Sequence, residues 1–101
     1  MHAQIFTYTV QLPNEEAYLT QFADPVAAKI AGVKGLVSKV WMADFDKKFA
    51  SFYIWETKED MEAFMSSELI AKLRTLDFVS DLKIEDYPIV EKPSKVTRGI
   101  L

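Results

Sequence analysis

The sequence has 101 residues, no cysteine, 50% hydrophobic and 27% charged residues, and a formal net charge of −3. That length and balance suit one globular domain burying roughly two thirds of its unfolded surface, and exclude an intrinsically disordered chain, a disulfide scaffold and a thiolate metal site. Lysine and arginine are scattered (Lys47, Lys48, Lys92, Lys95, Arg98) and form no basic face, which disfavours tight binding to phosphate backbones. MHAQIFTYTVQLPNEE has no basic segment followed by an apolar run, and nothing downstream approaches the length of a membrane span. A cytoplasmic protein without signal peptide or transmembrane helix is expected.

Residues 4–12 alternate Phe6, Tyr8, Val10 and Leu12 with Thr7, Thr9 and Gln11, the period of a half-buried strand. Pro13 ends it, and Asn14 caps a helix with Glu15 and Glu16 in its first turn. Pro25 removes a backbone donor, so a kink or restart is expected there, with Asp24 as the new cap. Gly32 and Gly35 supply left-handed conformations where the helix stops. LVSKVWMA (36–43) is a second strand, DFDKK a turn, and residues 49–56 a third strand. Thr57 and Asp60 open a helix carrying Met61, Phe64, Met65, Leu69 and Leu73, with a break expected at Ser66-Ser67. VSDLKIEDYP (79–88) is a fourth strand, and residues 89–101 read as an extended tail. The β, α, β, β, α, β order predicts a ferredoxin-like α+β domain, with both helices on one face of a four-stranded antiparallel sheet.

The third strand raises the functional question. Phe49, Ser51, Tyr53 and Trp55 lie on one side of it and Ala50, Phe52 and Ile54 on the other. Both sides are largely apolar, whereas the helices cover one. A partner chain, a small molecule or nucleic-acid bases could cover the second. Lys39 and Trp41 on the second strand join Tyr53 and Trp55 in one aromatic-walled patch only if the hairpin register allows it. The competing reading makes the aromatics core or interface packing, with Lys39 reaching to water.

Other chemistry finds little support. His2, the one histidine, lies beside the initiator methionine and is expected to fray, and no metal site is expected. Glu56, Glu59, Asp60 and Glu62 read as helix-start and solvent-face carboxylates. No GxGxxG, P-loop or GxSxG is present, so a nucleotide cofactor or serine nucleophile is unsupported. RNA recognition domains share the strand order, but Lys48 and Ser51 stand where their glycine and second stacking aromatic belong.

Residues 34–68, KGLVSKVWMADFDKKFASFYIWETKEDMEAFMSSE, resemble the YdhR-like monooxygenases, a family of the dimeric α/β-barrel superfamily that also holds the antibiotic-biosynthesis monooxygenases. Gly35, Lys39, Trp41, Tyr53, Trp55 and Phe64 occupy the family's pattern positions, Pro25 falls where its first helix is interrupted, and SKVTRGIL (94–101) is similar to the family ending. Ala50-Ser51 replaces a glycine pair, the hairpin is shorter than the family's, and Phe49 is an added aromatic. The resemblance implies a homodimer of sheets packed by their helix-free faces, with an apolar cavity in each subunit. It also implies reaction of a small aromatic or quinol-like substrate with dioxygen, without metal or flavin. In that reading Trp41, Trp55, Phe64 and Phe49 hold the ring, Tyr53 donates a hydrogen bond or relays a proton, and Lys39 favours substrate deprotonation. The alternative is a non-catalytic dimeric barrel that binds a small molecule.

Overall fold

The computed structural model describes all residues, 1–101. In chain order it comprises β1 (His2–Val10), α1 (Glu15–Tyr18), a π-helical turn (Leu19–Ala23), α2 (Asp24–Ile30), β2 (Leu36–Ala43), β3 (Phe49–Trp55), α3 (Lys58–Met65), α4 (Glu68–Leu73), β4 (Val79–Pro88) and α5 (Glu91–Val96). The strands form one antiparallel sheet, ordered β2-β3-β1-β4. This is the ferredoxin-like α+β arrangement.

Strand alternation sorts the two faces. Phe6, Tyr8 and Val10 of β1 join Phe49, Tyr53 and Trp55 of β3 in a core completed by Tyr18, Phe22, Ile30, Met61, Phe64 and Ile70 from the helices. The opposite face carries Ile5, Ala50, Phe52 and Ile54, with Val40 and Met42 on the adjoining edge strand. Val40 and Met42 remain exposed.

Local chemistry explains the boundaries. The Asn14 side chain accepts from Ala17 N at 2.8 Å and Thr57 Oγ1 from Asp60 N at 3.0 Å, each satisfying an otherwise unpaired donor of a helix start. The first helix is not restarted by an Asp24 cap. Asp24 is already helical, and its N–H donates to Leu19 O, five residues back. The wide turn lets the chain pass Pro25, which has no N–H, without breaking the helix. Of the two glycines expected to be left-handed, only Gly35 is, with φ of 83°, and a Cβ there would collide with the Asp60 side chain. In the β2–β3 turn, Asp44 Oδ1 accepts from the backbone N–H groups of Asp46, Lys47 and Lys48 at 2.9–3.1 Å. These bonds, led by that of Asp46, hold its carboxyl below the usual range.

Two further expectations are corrected. The tail is not extended throughout: α5 occupies Glu91–Val96, and Ile100 beyond it is buried. His2 is not frayed. It is buried in β1, and its Nε2 lies 2.6 Å from Asp86 Oδ2 on β4. Pairing of His2 with both Trp55 and Pro88 places it in the interior of the sheet, where backbone bonds on both sides prevent fraying.

Candidate functional site

The register left open by the sequence is fixed by pairing of Lys39 with Tyr53 and of Trp41 with Ser51. Directly opposed residues point to the same side, so Lys39, Trp41, Tyr53 and Trp55 share the helix-covered face. A bulge precedes these pairs in β2. Leu36 pairs with Trp55 and Ser38 with Ile54, so β2 carries one extra residue there, and Leu36 and Lys39, three apart, both turn inward.

Between this face and the helices lies a cavity of about 200 Å³. Phe6, Tyr8, Ser51, Tyr53 and Lys39 line its sheet side; Phe22, Pro25, Val26 and Ile30 approach from the first helix, and Phe64, Leu69, Ile70 and Leu73 from α3 and α4. The π-helical turn supplies Gln21 and Phe22 to its wall, and such turns often accompany functional sites.

Lys39 is the most unusual group there. Its Nζ lies 3.4 Å from the centroid of the Trp41 ring and 4.7 Å from that of Tyr53. No carboxylate pairs with it: the ion pairs are Met1–Glu91 and Lys83–Glu85, and Asp86 contacts His2. The ring faces attract an ammonium ion, but they supply no full counter-charge. Burial penalises the charged form and lowers its pKa to about 7. Beside it, burial pushes the Tyr53 phenol far above its ordinary value, so it stays protonated at neutral pH. Tyr8 is raised to about 12, burial outweighing the opposing effect of its 2.9 Å hydrogen bond with Ser51. The cavity thus combines two protonated phenols, a serine hydroxyl and an amine near neutrality within aromatic walls.

Of the six residues singled out in the sequence, Lys39, Tyr53 and Phe64 line the cavity; Trp41, Trp55 and Phe49 do not. Trp41 packs edge-on to Phe22, with centroids 5.9 Å apart, and carries Lys39 on its face. Trp55 is fully buried behind Tyr53, its ring stacked at 5.9 Å and 8°, and its Nε1–H donates to Gln4 Oε1 at 3.2 Å. It fixes the wall and does not form its surface. Phe49 lies farther along β3 among Tyr8, Tyr18 and Phe45, two strand positions beyond Ser51. The sequence reading missed the Tyr8–Ser51 pair as a site feature. The available signal was Ser51 itself, a small hydroxyl in an otherwise aromatic face, which needs a partner once buried.

No cluster of three or more His, Cys, Asp or Glu side chains is arranged to hold a metal ion, and no helix is long and apolar enough to cross a membrane.

The family described as "Putative mono-oxygenase ydhR" matches residues 4–100. The chain belongs to this family. Among solved structures, a Deinococcus radiodurans protein described as a putative antibiotic biosynthesis monooxygenase is similar at 22% identity and a TM-score of 0.69, covering 90% of this chain and 94% of its own. SnoaB, a cofactor-independent oxygenase from Streptomyces nogalater, is similar at 14% identity and TM-score 0.69, with the same coverages of 90% and 94%. A mutant of MhuD, holding two manganese protoporphyrin IX molecules per active site, is similar at 14% identity and TM-score 0.66, covering 89% of this chain and 95% of its own. At these identities the likeness is one of fold, and a shared fold can host different ligands. A search of curated proteins finds no match. For this ydhR family member, the cavity must therefore carry the functional argument.

Proposed function

We propose that this family member is a monooxygenase acting on a small hydroxyaromatic or quinol-like compound in the helix–sheet cavity, with neither metal nor flavin. The observation that carries the reading is Lys39: an amine without ion partner, lowered to about 7, between aromatic rings at the wall of an apolar cavity. A general base works best when its pKa lies near the operating pH. Neutral Lys39 takes the substrate's hydroxyl proton, and the resulting ammonium stabilises the aryloxide in a site with little water. The electron-rich ring carbon then bonds to dioxygen. The peroxide formed takes the proton back from Lys39; loss of the remaining hydrogen at that carbon, with cleavage of the O–O bond, leaves a carbonyl and water. Overall, a hydroxyarene plus dioxygen gives a quinone plus water. The substrate supplies all four electrons, so no external reductant is needed. The description of SnoaB as cofactor-independent agrees with this chemistry.

In this reading the Tyr53 hydroxyl, which makes no hydrogen bond within the chain, donates to the substrate oxygen, and Phe64 packs on the ring. Trp41 and Trp55 hold Lys39 and Tyr53 in place. A second copy of the chain covers the helix-free face, forming a closed barrel in which Val40 and Met42 become buried. The protein works in the cytoplasm.

Dioxygen uptake by chelator-treated protein with hydroxylated aromatics and quinols tests the reading. Uptake that survives chelation and disappears in Lys39→Met and Tyr53→Phe supports it; full activity in both variants removes these roles. A second reading, a binding barrel without turnover, is favoured by the lack of any second group poised near neutrality beside Lys39. Ligand binding without dioxygen uptake across the panel selects it.

A further inference from the structure

We propose that the cavity's ligand is a single-ring hydroxyaromatic compound bearing an anionic substituent such as a carboxylate, which lies between Lys29 and Lys72 at the cavity mouth. This rests on the cavity being the ligand site, and two observations carry it beyond that reading.

The first is size. An apolar cavity of about 150 Å³ holds one benzene molecule. The cavity here, about 200 Å³, matches one ring with small substituents, and a fused polycyclic system would have to extend through the mouth into the adjoining groove. Phe6, Phe22, Tyr53 and Phe64 surround that volume.

The second is charge. Although the chain is acidic overall, the charged residues lining the cavity are Lys29, Lys39 and Lys72, with no aspartate or glutamate among them. Lys29 and Lys72 are exposed, take part in no ion pair, and also line the adjoining surface groove, which puts them at the opening; Lys39 lies on the sheet side. The outer groove carries Glu59, Asp60 and Glu68 opposite Lys29, Lys34 and Lys72 and so has no net preference of its own. Lys29 and Lys72 are shared by groove and cavity, while the three carboxylates border the groove alone, so a ligand inside the cavity meets lysines and no carboxylate. Lys29 and Lys72 each occupy the last turn of a helix, where a cation interacts favourably with the backbone carbonyls. That local benefit does not require both side chains to border one cavity free of carboxylates. An anionic group at the mouth and a hydroxyl at Lys39 would satisfy both ends, with the ring between them.

Calorimetric titration under anaerobic conditions separates binding from turnover. The probes are 4-hydroxybenzoate, its methyl ester and 6-hydroxy-2-naphthoate, at neutral pH and at low and high salt. The acid is expected to bind about tenfold more tightly than the ester at low salt, as two partly exposed ion pairs provide. The difference should shrink at high salt, fall below about twofold in Lys29→Gln/Lys72→Gln and return in Lys29→Arg/Lys72→Arg. The naphthoate should bind more weakly than the benzoate. Equal binding of acid and ester, a preference that persists in the glutamine variant, tighter binding of the naphthoate, or no binding of any probe would each overturn the proposal. Absence of dioxygen uptake with bound 4-hydroxybenzoate would count against the oxygenase reading while leaving the binding preference standing.

Discussion

The two faces of the sheet differ in what they carry beside the apolar core. The helix-covered face buries Gln4, Ser51 and His2 and lowers the pKa of Lys39, whereas the helix-free face leaves Val40 and Met42, 50% and 43% exposed, in contact with solvent. Burial of polar groups is unfavourable unless they are hydrogen-bonded, and exposed apolar side chains contribute little to the stability of an isolated domain. Gln4 and Ser51 are satisfied, by Trp55 and Tyr8. Half-buried Lys39 has no ion pair and meets only ring faces. The contrast separates what the covered face needs for stability from what it retains at a cost, and a group retained at a cost is a candidate for chemistry.

Removing Lys39 should break the contrast most sharply. Lys39→Met is expected to lower dioxygen uptake by about 10²–10⁴-fold, the usual contribution of a positioned acid–base group, while raising the thermal midpoint. In wild type, uptake should increase with pH through about 7 as the amine loses its proton. Stability should follow the same direction. Because the folded pKa is lowered, the unfolded chain binds the extra proton between about 7 and the ordinary lysine range, so stability rises with pH across that window. Lys39→Met should remove that contribution, and an unchanged stability–pH profile would contradict the assignment.

Trp55→Ala addresses the structural component of the same face. Loss of the ring behind Tyr53 should cost about 3–5 kcal/mol in urea denaturation, as for other large core truncations, and leave Gln4 Oε1 unpaired. On the opposite face, Val40→Lys/Met42→Lys should change subunit stability by only about 0.5 kcal/mol but convert a dimer to monomers in sedimentation velocity. A monomeric wild-type protein would refute the barrel. The smallest functional effect is expected from Phe49→Leu: less than about a twofold change in ligand affinity, because Phe49 packs outside the cavity, with a loss of about 1 kcal/mol of stability. A large loss of affinity would return Phe49 to the site.

Much of the fold was legible because its signals are local. The Asn14 and Thr57 caps, the alternation of β1 and β3 and the break at Ser66-Ser67 depend on neighbouring residues, and each lies where expected. The site was legible in part. Lys39 and Tyr53 were singled out and do line the cavity, but their common face depends on the hairpin register set at the β2–β3 turn, which strand period alone does not determine. Trp55 and Phe49 show the limit of an aromatic stripe: side-chain alternation gives the direction in which a ring points, not whether another ring or open volume lies before it. His2 was misread because its burial depends on β4, more than eighty residues away in sequence.

The π-helical turn bears on how the cavity wall keeps its phase. Tyr18, Phe22, Val26 and Ile30 recur every fourth residue, and all four pack in or against the core. On an uninterrupted α-helix, four residues rotate about 400°, so each step of this stripe drifts about 40° and the whole series about 120°. One extra residue held in a wide turn takes back about 100° of that drift. Tightening this turn to plain α-helix without removing a residue would rotate Pro25, Val26 and Ile30 by about 100° away from the sheet, whereas deleting one residue within 19–23 should keep their phase. The irregularity therefore acts as a phase correction, aligning the two helical segments along one cavity.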